Sequence, residues 1–250
     1  MIIDFHVHTS DSPGGRFTPA QLLEKAAAVG LDGICITDFH QISPGALEGK
    51  ELGRKAGLVV LAGFEAVTEL GHFLVFVPHP EKLPPVSAWL RLGSEGRLMF
   101  ASLLEAVRSQ QGILVAAHPF DRQRSVYLGD RLARLDGVAA VEALNGRAGM
   151  QANEMAEELA ASLGLPGLGG SDTLDDLERL GRVATVTSGP VADETDLLKF
   201  VSEGGVWPVE LGRPLFEPAT KKPQQQKKPA PRGSFQPRAG GRPMRRRRSK

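Results

Sequence analysis

The sequence predicts an α/β fold in which βα units surround a parallel sheet or barrel. From residue 2 to residue 211, short runs rich in apolar and β-branched residues alternate with amphipathic stretches of helical length. The chain has 250 residues, of which 41% are hydrophobic, and this is enough for one substantial core. These observations favour one folded domain, 1–211, followed by a segment of different character, 212–250.

The strands are predicted from short apolar runs with polar or glycine-rich flanks. They cover residues 2–8, 33–38, 58–65, 72–78, 113–118, 138–144, 166–171 and 183–187. Helices are predicted to begin after Thr18, Ser43 and Asp193, because each is a good N-cap, and Pro19 and Pro44 suit a first helical turn.

Residues 212–250 differ sharply from the rest of the chain in charge. They hold 13 Lys or Arg and one acid, Glu217, whereas the remainder holds 17 basic and 28 acidic residues, so the balances are +12 and −11. The segment is also rich in Pro, Gln and Gly and lacks apolar periodicity, which predicts a disordered basic tail. Such a tail is typical of an arm that binds nucleic acid, of a solvated extension, or of a segment that folds back on an acidic domain.

The sequence argues against a membrane protein and against cysteine chemistry. No run approaches the roughly 18 apolar residues of a spanning helix, and the chain starts directly with a strand-like run, so we expect a soluble, cytoplasmic protein. Cys35 is the only cysteine and lies in an apolar run, which excludes an internal disulfide and a thiolate metal cluster.

Two histidines in the first predicted strand suggest a chelating pair. His6 and His8 are separated by one residue, and side chains two apart on a strand point to the same side. An isolated pair of this kind is more often structural, so the pair becomes informative only with further ligands.

Further candidate ligands stand at the edges of other predicted strands, where barrel enzymes place their chemistry. They are Glu65, His72, His118 and Asp172. With the first pair they form a nitrogen and oxygen set suited to Zn, Mn or Fe, in which one carboxylate could bridge two ions. Taken singly, each could instead be structural, as a buried ion pair, a helix cap or a core side chain.

The motifs resemble those of the PHP (polymerase and histidinol phosphatase) superfamily of metal-dependent phosphoesterases. The matching pieces, in order, are DFHVHTSDS at 4–12, GICITD at 33–38, GFE at 63–65, GHFLVF at 71–76, AAHPF at 116–120, VEALNG at 141–146 and GGSD at 169–172. The resemblance implies a distorted (β/α)7 barrel with a cluster of up to three metal ions that hydrolyses phosphoesters.

The resemblance also implies the ligand sets. His6, His8, Glu65 and Asp172 match the ligands of a first metal, and Glu65, His72 and His118 match those of a second, with Glu65 as the bridge. Both sets are complete, so we expect two divalent ions and a metal-bridging hydroxide as nucleophile.

The third metal site of the family departs from its pattern here. After the second strand the family has Thr-Asp-His, whereas this chain has Phe39 and places His40 one residue later; Leu174 stands where the last motif has a histidine. Only Asp11 remains, so we expect the third site to be lost. The alternatives are that His40 and Asp11 still hold a weak third ion, that His40 is a general acid, or that His40 is a surface residue.

A phosphorylated substrate calls for cations near the predicted site. The candidates are Arg16, Arg147 and Arg182, although an exposed arginine is more often simply solvated.

Four functions remain open at this point. The first is a phosphoesterase acting on a small phosphorylated molecule or nucleotide. The second is a nuclease that holds nucleic acid through residues 212–250. The third is an amidohydrolase-type barrel that cuts C–N bonds, although no lysine stands at a predicted strand end to bridge its metals. The fourth is a regulatory module that binds metal without catalysis.

Overall fold

The computed structural model describes residues 1–84, 92–93 and 97–212. The predicted tail therefore lies, apart from Gly212, outside the described residues. Within them, no helix is long and apolar enough to span a membrane.

Ten strands and five α-helices make up the described part of the chain. The strands are β1 (Ile2–Val7), β2 (Gly33–Ile36), β3 (Val59–Ala62), β4 (Phe64–Val67), β5 (His72–Phe76), β6 (Ile113–Ala116), β7 (Val138–Asn145), β8 (Gly167–Gly170), β9 (Val183–Thr187) and β10 (Val206–Glu210). The helices are α1 (Pro19–Ala28), α2 (Pro44–Ala56), α3 (Phe100–Ser109), α4 (Met150–Leu163) and α5 (Glu194–Ser202). Short 3₁₀ turns occupy Pro80–Lys82, Gly129–Arg134 and Leu177–Arg179.

The three predicted helix starts are confirmed. Thr18 caps α1, and its hydroxyl accepts from the Gln21 N–H in a capping box; Ser43 caps α2, and Asp193 caps α5. Each cap satisfies N–H groups that a helix leaves free in its first turn.

The strands form two mixed sheets of five rather than one parallel sheet, which corrects the predicted arrangement. The orders are β10-β9-β1-β2-β3 and β4-β5-β6-β7-β8. Strands β4 and β5 are antiparallel because only a short turn, closed by the Thr68 hydroxyl, connects them. Strand β9 is antiparallel to both β1 and β10.

The predicted strand 58–65 is in fact two strands that belong to different sheets. The break falls at Gly63, where a Cβ would lie 2.6 Å from the Phe76 ring. Strand β10 was not predicted; it contains Pro208 and is an edge strand, where proline is tolerated.

The two sheets meet beside the first histidine pair and share one apolar core. The Asp172 N–H donates to the His6 carbonyl and the His8 N–H to the Thr173 carbonyl, both at 2.8 Å, so the end of β8 is bonded to β1. One apolar cluster contains Phe5 of β1, Leu74 of β5 and Leu197 of α5, which joins both sheets and the last helix. This packing brings the carboxyl ends of β1, β6 and β8 together.

Candidate metal centre

Glu65 is the hub of a buried polar cluster at the ends of the strands. It lies on β4 with no exposed surface. Its Oε2 is 3.1 Å from Nε2 of both His6 and His8, and its Oε1 is 2.5 Å from His72 Nδ1 and 3.1 Å from His118 Nε2. The carboxylate thus faces a different pair of imidazoles with each oxygen.

The HxH pair has the chelating geometry that period two predicts. The Nε2 atoms of His6 and His8 lie 3.1 Å apart, and Asp172 Oδ1 is 4.0 and 3.8 Å from them. Four ligand atoms bonded to one metal at about 2.0–2.2 Å lie about 3.4 Å from each other in a tetrahedron. The spacing of these atoms therefore fits an ion between them.

Two ligand sets emerge from the distances among buried groups. His6, His8 and Asp172 form one and His6, Glu65 and His118 form the other, with the ligand atoms of each set within 4.8 Å of one another. His72 contacts this cluster through its Nδ1, which forms a hydrogen bond with Glu65 Oε1. The buried atoms His72 Nε2 and Asp172 Oδ1 have no hydrogen-bond partner among the described residues. Such free buried atoms fit ligands of a metal ion.

Charge also fits a metal. Carboxylates that are at most 5% exposed are frequent in this region and include those of Glu65, Asp121, Glu142 and Asp172. The Arg124 guanidinium bonds Asp121 and Asp172. Buried anions are costly without compensating cations, and divalent ions would supply the missing charge.

The pKa values of His6 and Glu65 are shifted by the charges that are buried together in this cluster. Burial alone would lower the pKa of His6, but the carboxylates of Glu142, Asp172 and Glu65 raise it well above 6.5. Burial would raise the pKa of Glu65, yet His6 and the hydrogen bonds from His118, His6 and His72 hold it well below 4.5. The Glu65 carboxylate therefore stays ionised, and the cluster attracts cations rather than neutralising this carboxylate with a proton.

Backbone strain coincides with the cluster. His40, His118 and Asp172 have φ angles of 65°, 28° and 53°, in a region that residues other than glycine rarely adopt. Such strain persists only where surrounding contacts enforce it and is frequent at functional sites. At His118 and Asp172 it occurs just beyond β6 and β8, where the chain turns its candidate ligands inward.

The residues assigned to a third site do not join the two ligand sets. Asp11 is exposed, and its Oδ2 accepts the Gly45 N–H at 2.7 Å. The Phe39 ring stacks on His8 with the centroids 4.6 Å apart. His40 donates its N–H to the Glu65 carbonyl, and its buried Nδ1 has no partner among the described residues.

Of the arginines predicted to bind a phosphorylated substrate, Arg147 lies beside the cluster and Arg182 does not. The Arg147 Nε lies 3.2 Å from the Asp172 carbonyl oxygen, and its guanidinium bonds Asp175, so it stands beside the cluster. Arg182 is exposed and lines a separate surface pocket with Met150 and Glu210.

Several residues around the cluster were missed in the sequence. They are Glu142 and Asn145, which lie within the VEALNG motif, Ser12 and Asp38, which support His8, and Asp121 and Arg124. An acid in the apolar strand 138–144 is a signal that could have revealed Glu142, because a buried carboxylate needs partners. Arg124 lies in a loop and carries no comparable signal.

Comparison with known proteins agrees with the resemblance to the PHP superfamily that the sequence motifs carry. Residues 150–206 match the family model for PHP-associated sequences, while no curated protein matches the chain. The fold resembles that of a Bifidobacterium adolescentis protein described as a metal-dependent phosphoesterase, with a TM-score of 0.61, 21% identity, and coverage of 84% of this chain and 98% of that one.

Two further solved structures share the fold. One is a two-domain Bacteroides vulgatus protein described as containing a PHP-like metal-dependent phosphoesterase, with a TM-score of 0.62, 17% identity, and coverage of 84% and 64% of the two chains. The other is an amidohydrolase from Chromobacterium violaceum with bound sulfate and no metal, with a TM-score of 0.61, 16% identity, and coverage of 83% and 97%. The PHP-associated match at 150–206 and this shared fold support the resemblance to the PHP superfamily that the sequence motifs carry.

Proposed function

We propose that the chain is a metal-dependent phosphoesterase that hydrolyses a phosphomonoester or a nucleotide-type phosphoester with two divalent ions, Mn, Zn or Fe. The observation that carries the proposal is the position of Glu65, whose two oxygens face two separate groups of imidazoles at 2.5–3.1 Å. A carboxylate so placed suits a bridge between two ions.

The residues that would hold the ions follow from these contacts. By the family resemblance, His6, His8, Glu65 and Asp172 would hold the first, and Glu65, His72 and His118 the second; the distances also place His6 with Glu65 and His118. When bound, such a pair of ions supplies an activated water as nucleophile and stabilises charge on the attacking and leaving oxygens.

Arg147 and His40 are the candidates for contact with substrate. The Arg147 guanidinium is 25% exposed beside Asp172, so it can bind non-bridging phosphate oxygens. His40 is the candidate proton donor to the leaving group. Burial holds its pKa below 6.5 although Glu65 opposes this effect, so a donor role predicts a rate that falls as pH rises through that lowered value. His40→Ala would remove this limb of the pH profile.

Two ions rather than three are proposed because of Phe39 and Leu174. The Phe39 ring packs against His8 where the family pattern has a ligand. Leu174, which stands where the family pattern has a histidine, lies beside Gly14, and its side chain is 3.6 Å from the point that a Cβ on Gly14 would occupy. Asp11 is bonded to the start of α2 instead.

We further propose that the two sheets together form the distorted barrel that the family resemblance implies. We also propose that the protein is cytoplasmic.

The experiment is a phosphate-release screen with nucleotides, sugar phosphates and oligonucleotides, run on metal-free protein with Mn²⁺, Zn²⁺ or Fe²⁺ restored. His118→Ala removes one ligand of the second ion, and the exposed His79→Ala is its matched control. The proposal expects metal-dependent release that His118→Ala abolishes and His79→Ala retains. Wild-type protein that binds metal but releases no phosphate would favour a regulatory module.

An amidohydrolase function is the second candidate, because one of the structures with this fold is an amidohydrolase. In the described residues, Lys25 and Lys50 are engaged by Glu178 and Glu194 rather than by the cluster. A parallel screen with amide and cyclic amide substrates separates the two: C–N cleavage without phosphate release would overturn the phosphoesterase proposal.

A nuclease remains a proposal for the basic segment. The 13 basic residues of 212–250 would supply sequence-independent, salt-dependent affinity for nucleic acid. Truncation after Leu211 tests this directly: unchanged turnover of RNA and DNA would rule out cleavage guided by the tail.

A further inference from the structure

Glu142 contacts both groups of proposed ligands although it belongs to neither. It lies within β7 and is 1% exposed. Its Oε1 is 2.8 Å from His6 Nδ1, and its Oε2 accepts the backbone N–H of His118 at 2.8 Å. Because a carboxylate only accepts hydrogen bonds, the contact with Glu142 holds a proton on His6 Nδ1, and Nε2, which faces Glu65, is then the nitrogen that a metal ion would use.

We propose that Glu142 is a positioning residue that links the two ion sites: one oxygen orients His6 of the first site, and the other holds the backbone of His118 of the second. The inference rests on the proposed dinuclear function, since it assigns these two histidines to different ions. Carboxylates that bind the second nitrogen of a metal-ligating histidine fix its orientation and strengthen its donation.

The contact with His118 has a particular consequence for the second site. His118 has a φ angle of 28°, which residues other than glycine rarely adopt, and its N–H points at Glu142 instead of pairing within a sheet. Holding this N–H helps to hold the turn that directs the His118 ring toward Glu65, where its Nε2 is 3.1 Å from Oε1.

Close packing keeps Glu142 in place. A Cβ on Gly170 would lie 3.0 Å from Glu142 Oε1 and 2.5 Å from His6 Cβ, so the glycine leaves just enough room for both side chains. The carboxylate therefore has little freedom to release one partner and keep the other.

His8 is supported by a separate set of groups, which provides a control. Its Nδ1 lies 3.1 Å from Ser12 Oγ, and that hydroxyl donates to Asp38 Oδ1 at 2.6 Å. The remaining contact of the Ser12 hydroxyl in the described chain is with the Phe39 N–H. Ser12→Ala thus removes support from one ligand of the first site alone.

The test is calorimetric titration of Mn²⁺ into metal-free wild-type, Glu142→Gln and Ser12→Ala protein. A glutamine at 142 is neutral and presents one carbonyl oxygen, so it loses one of the two contacts outright and makes the other without the charge of a carboxylate, which weakens that contact too. We expect Ser12→Ala to weaken one site, and Glu142→Gln to weaken both, by about 10- to 100-fold each.

The outcomes separate this inference from the proposed function. Two sites in wild type, with only one or neither weakened in Glu142→Gln, would overturn the linking role while leaving the dinuclear function intact. A wild type that binds no Mn²⁺ would overturn the dinuclear function and the inference with it.

A measurement on the wild type avoids dependence on how the variant folds. In Zn²⁺-loaded protein, ring-nitrogen NMR should find the His6 proton on Nδ1, and the His118 amide should exchange slowly with solvent. A proton on Nε2, or an unprotected His118 amide, would contradict the proposal.

Discussion

At the scale of single residues, Arg124 is the cation that the structure adds to the proposed centre. Its Nη2 bonds Asp172 Oδ2, which also accepts from Asn145 Nδ2 at 3.2 Å. Both donors hold the same oxygen, so Oδ1 is left facing the His6 and His8 rings at 4.0 and 3.8 Å. Arg124 thereby orients Asp172 and offsets part of its charge.

Arg124→Ala is expected to destabilise the metal-free protein by about 3–5 kcal/mol, because it leaves a buried carboxylate without its cation. Bound ions would restore the charge, so the loss should be smaller in protein loaded with Mn²⁺. Thermal unfolding of both forms measures the difference.

Arg122→Ala is the matched control, since Arg122 is exposed in the same loop. It should change stability by less than about 0.5 kcal/mol in either form. Equal losses for Arg124→Ala with and without Mn²⁺ would show that the contact with Asp172 is independent of the ion.

The candidate ligands were accessible from the sequence because they follow simple rules. His6 and His8 obey the period of a strand, and Glu65, His118 and Asp172 stand at strand ends. Arg124 could not be found in this way, because it lies in a loop and its partner Asp172 is distant in sequence, whereas Asp38 ends the predicted strand 33–38 and could have been found. The assignment of metal-binding and catalytic roles to the predicted residues remains a prediction.

At the scale of elements, β8 shows why a glycine-rich strand lies next to the cluster. A Cβ on Gly169 would be 2.3 Å from the Ala184 carbonyl oxygen, and one on Gly170 would be 2.5 Å from His6 Cβ. The absence of side chains lets β8 approach β1 and β9 closely, which brings Asp172 to the histidine pair.

Gly170→Ala is therefore expected to cost about 1–3 kcal/mol of stability through overpacking and to weaken metal binding by displacing His6. Urea unfolding and Mn²⁺ titration measure the two effects.

Gly149→Ala serves as the comparison, because a Cβ there meets nothing within 4 Å and φ is an ordinary −71°. Its cost should stay below about 1 kcal/mol, the usual effect at a helix N-cap, with metal binding unchanged. If Gly170→Ala bound Mn²⁺ as tightly as Gly149→Ala, the close approach of β8 would not matter to the site.

The elements also mark where sequence patterns were insufficient. Apolar periodicity predicted eight strand regions, but it could not reveal that Gly63 divides one of them between two sheets. The direction of β5 depends on a turn closed by Thr68, and the edge strand β10 was not predicted at all. Pairing partners are decided by tertiary contacts, which a local pattern does not contain.

At the scale of the whole molecule, the proposed ions would connect the two sheets. His6 and His8 belong to or follow β1 of the first sheet, whereas Glu65 and His72 lie on β4 and β5 of the second. Ligands that bind only the native state stabilise it by an amount that grows with the logarithm of their concentration relative to Kd.

Removing the two ions with a chelator should therefore lower the Tm by about 10–20 °C, if each ion is present at about 100 times its Kd. Differential scanning calorimetry before chelation, after it, and after Mn²⁺ is restored measures the shift. Protein truncated after Leu211 should behave in the same way, since the proposed ligands all precede that residue. An unchanged Tm would mean that the ions contribute nothing to native stability.

The central claim is that Glu65 joins two divalent ions in one buried cluster. Elemental analysis of wild-type, Glu65→Gln and Glu105→Gln protein, each dialysed to equilibrium with Mn²⁺ and then freed of excess ion, tests it most directly; Glu105 is exposed on α3 and serves as the control. Two ions per chain are expected in wild type and Glu105→Gln, and fewer than one in Glu65→Gln. Wild-type protein without metal, or Glu65→Gln protein that keeps both ions, would contradict it.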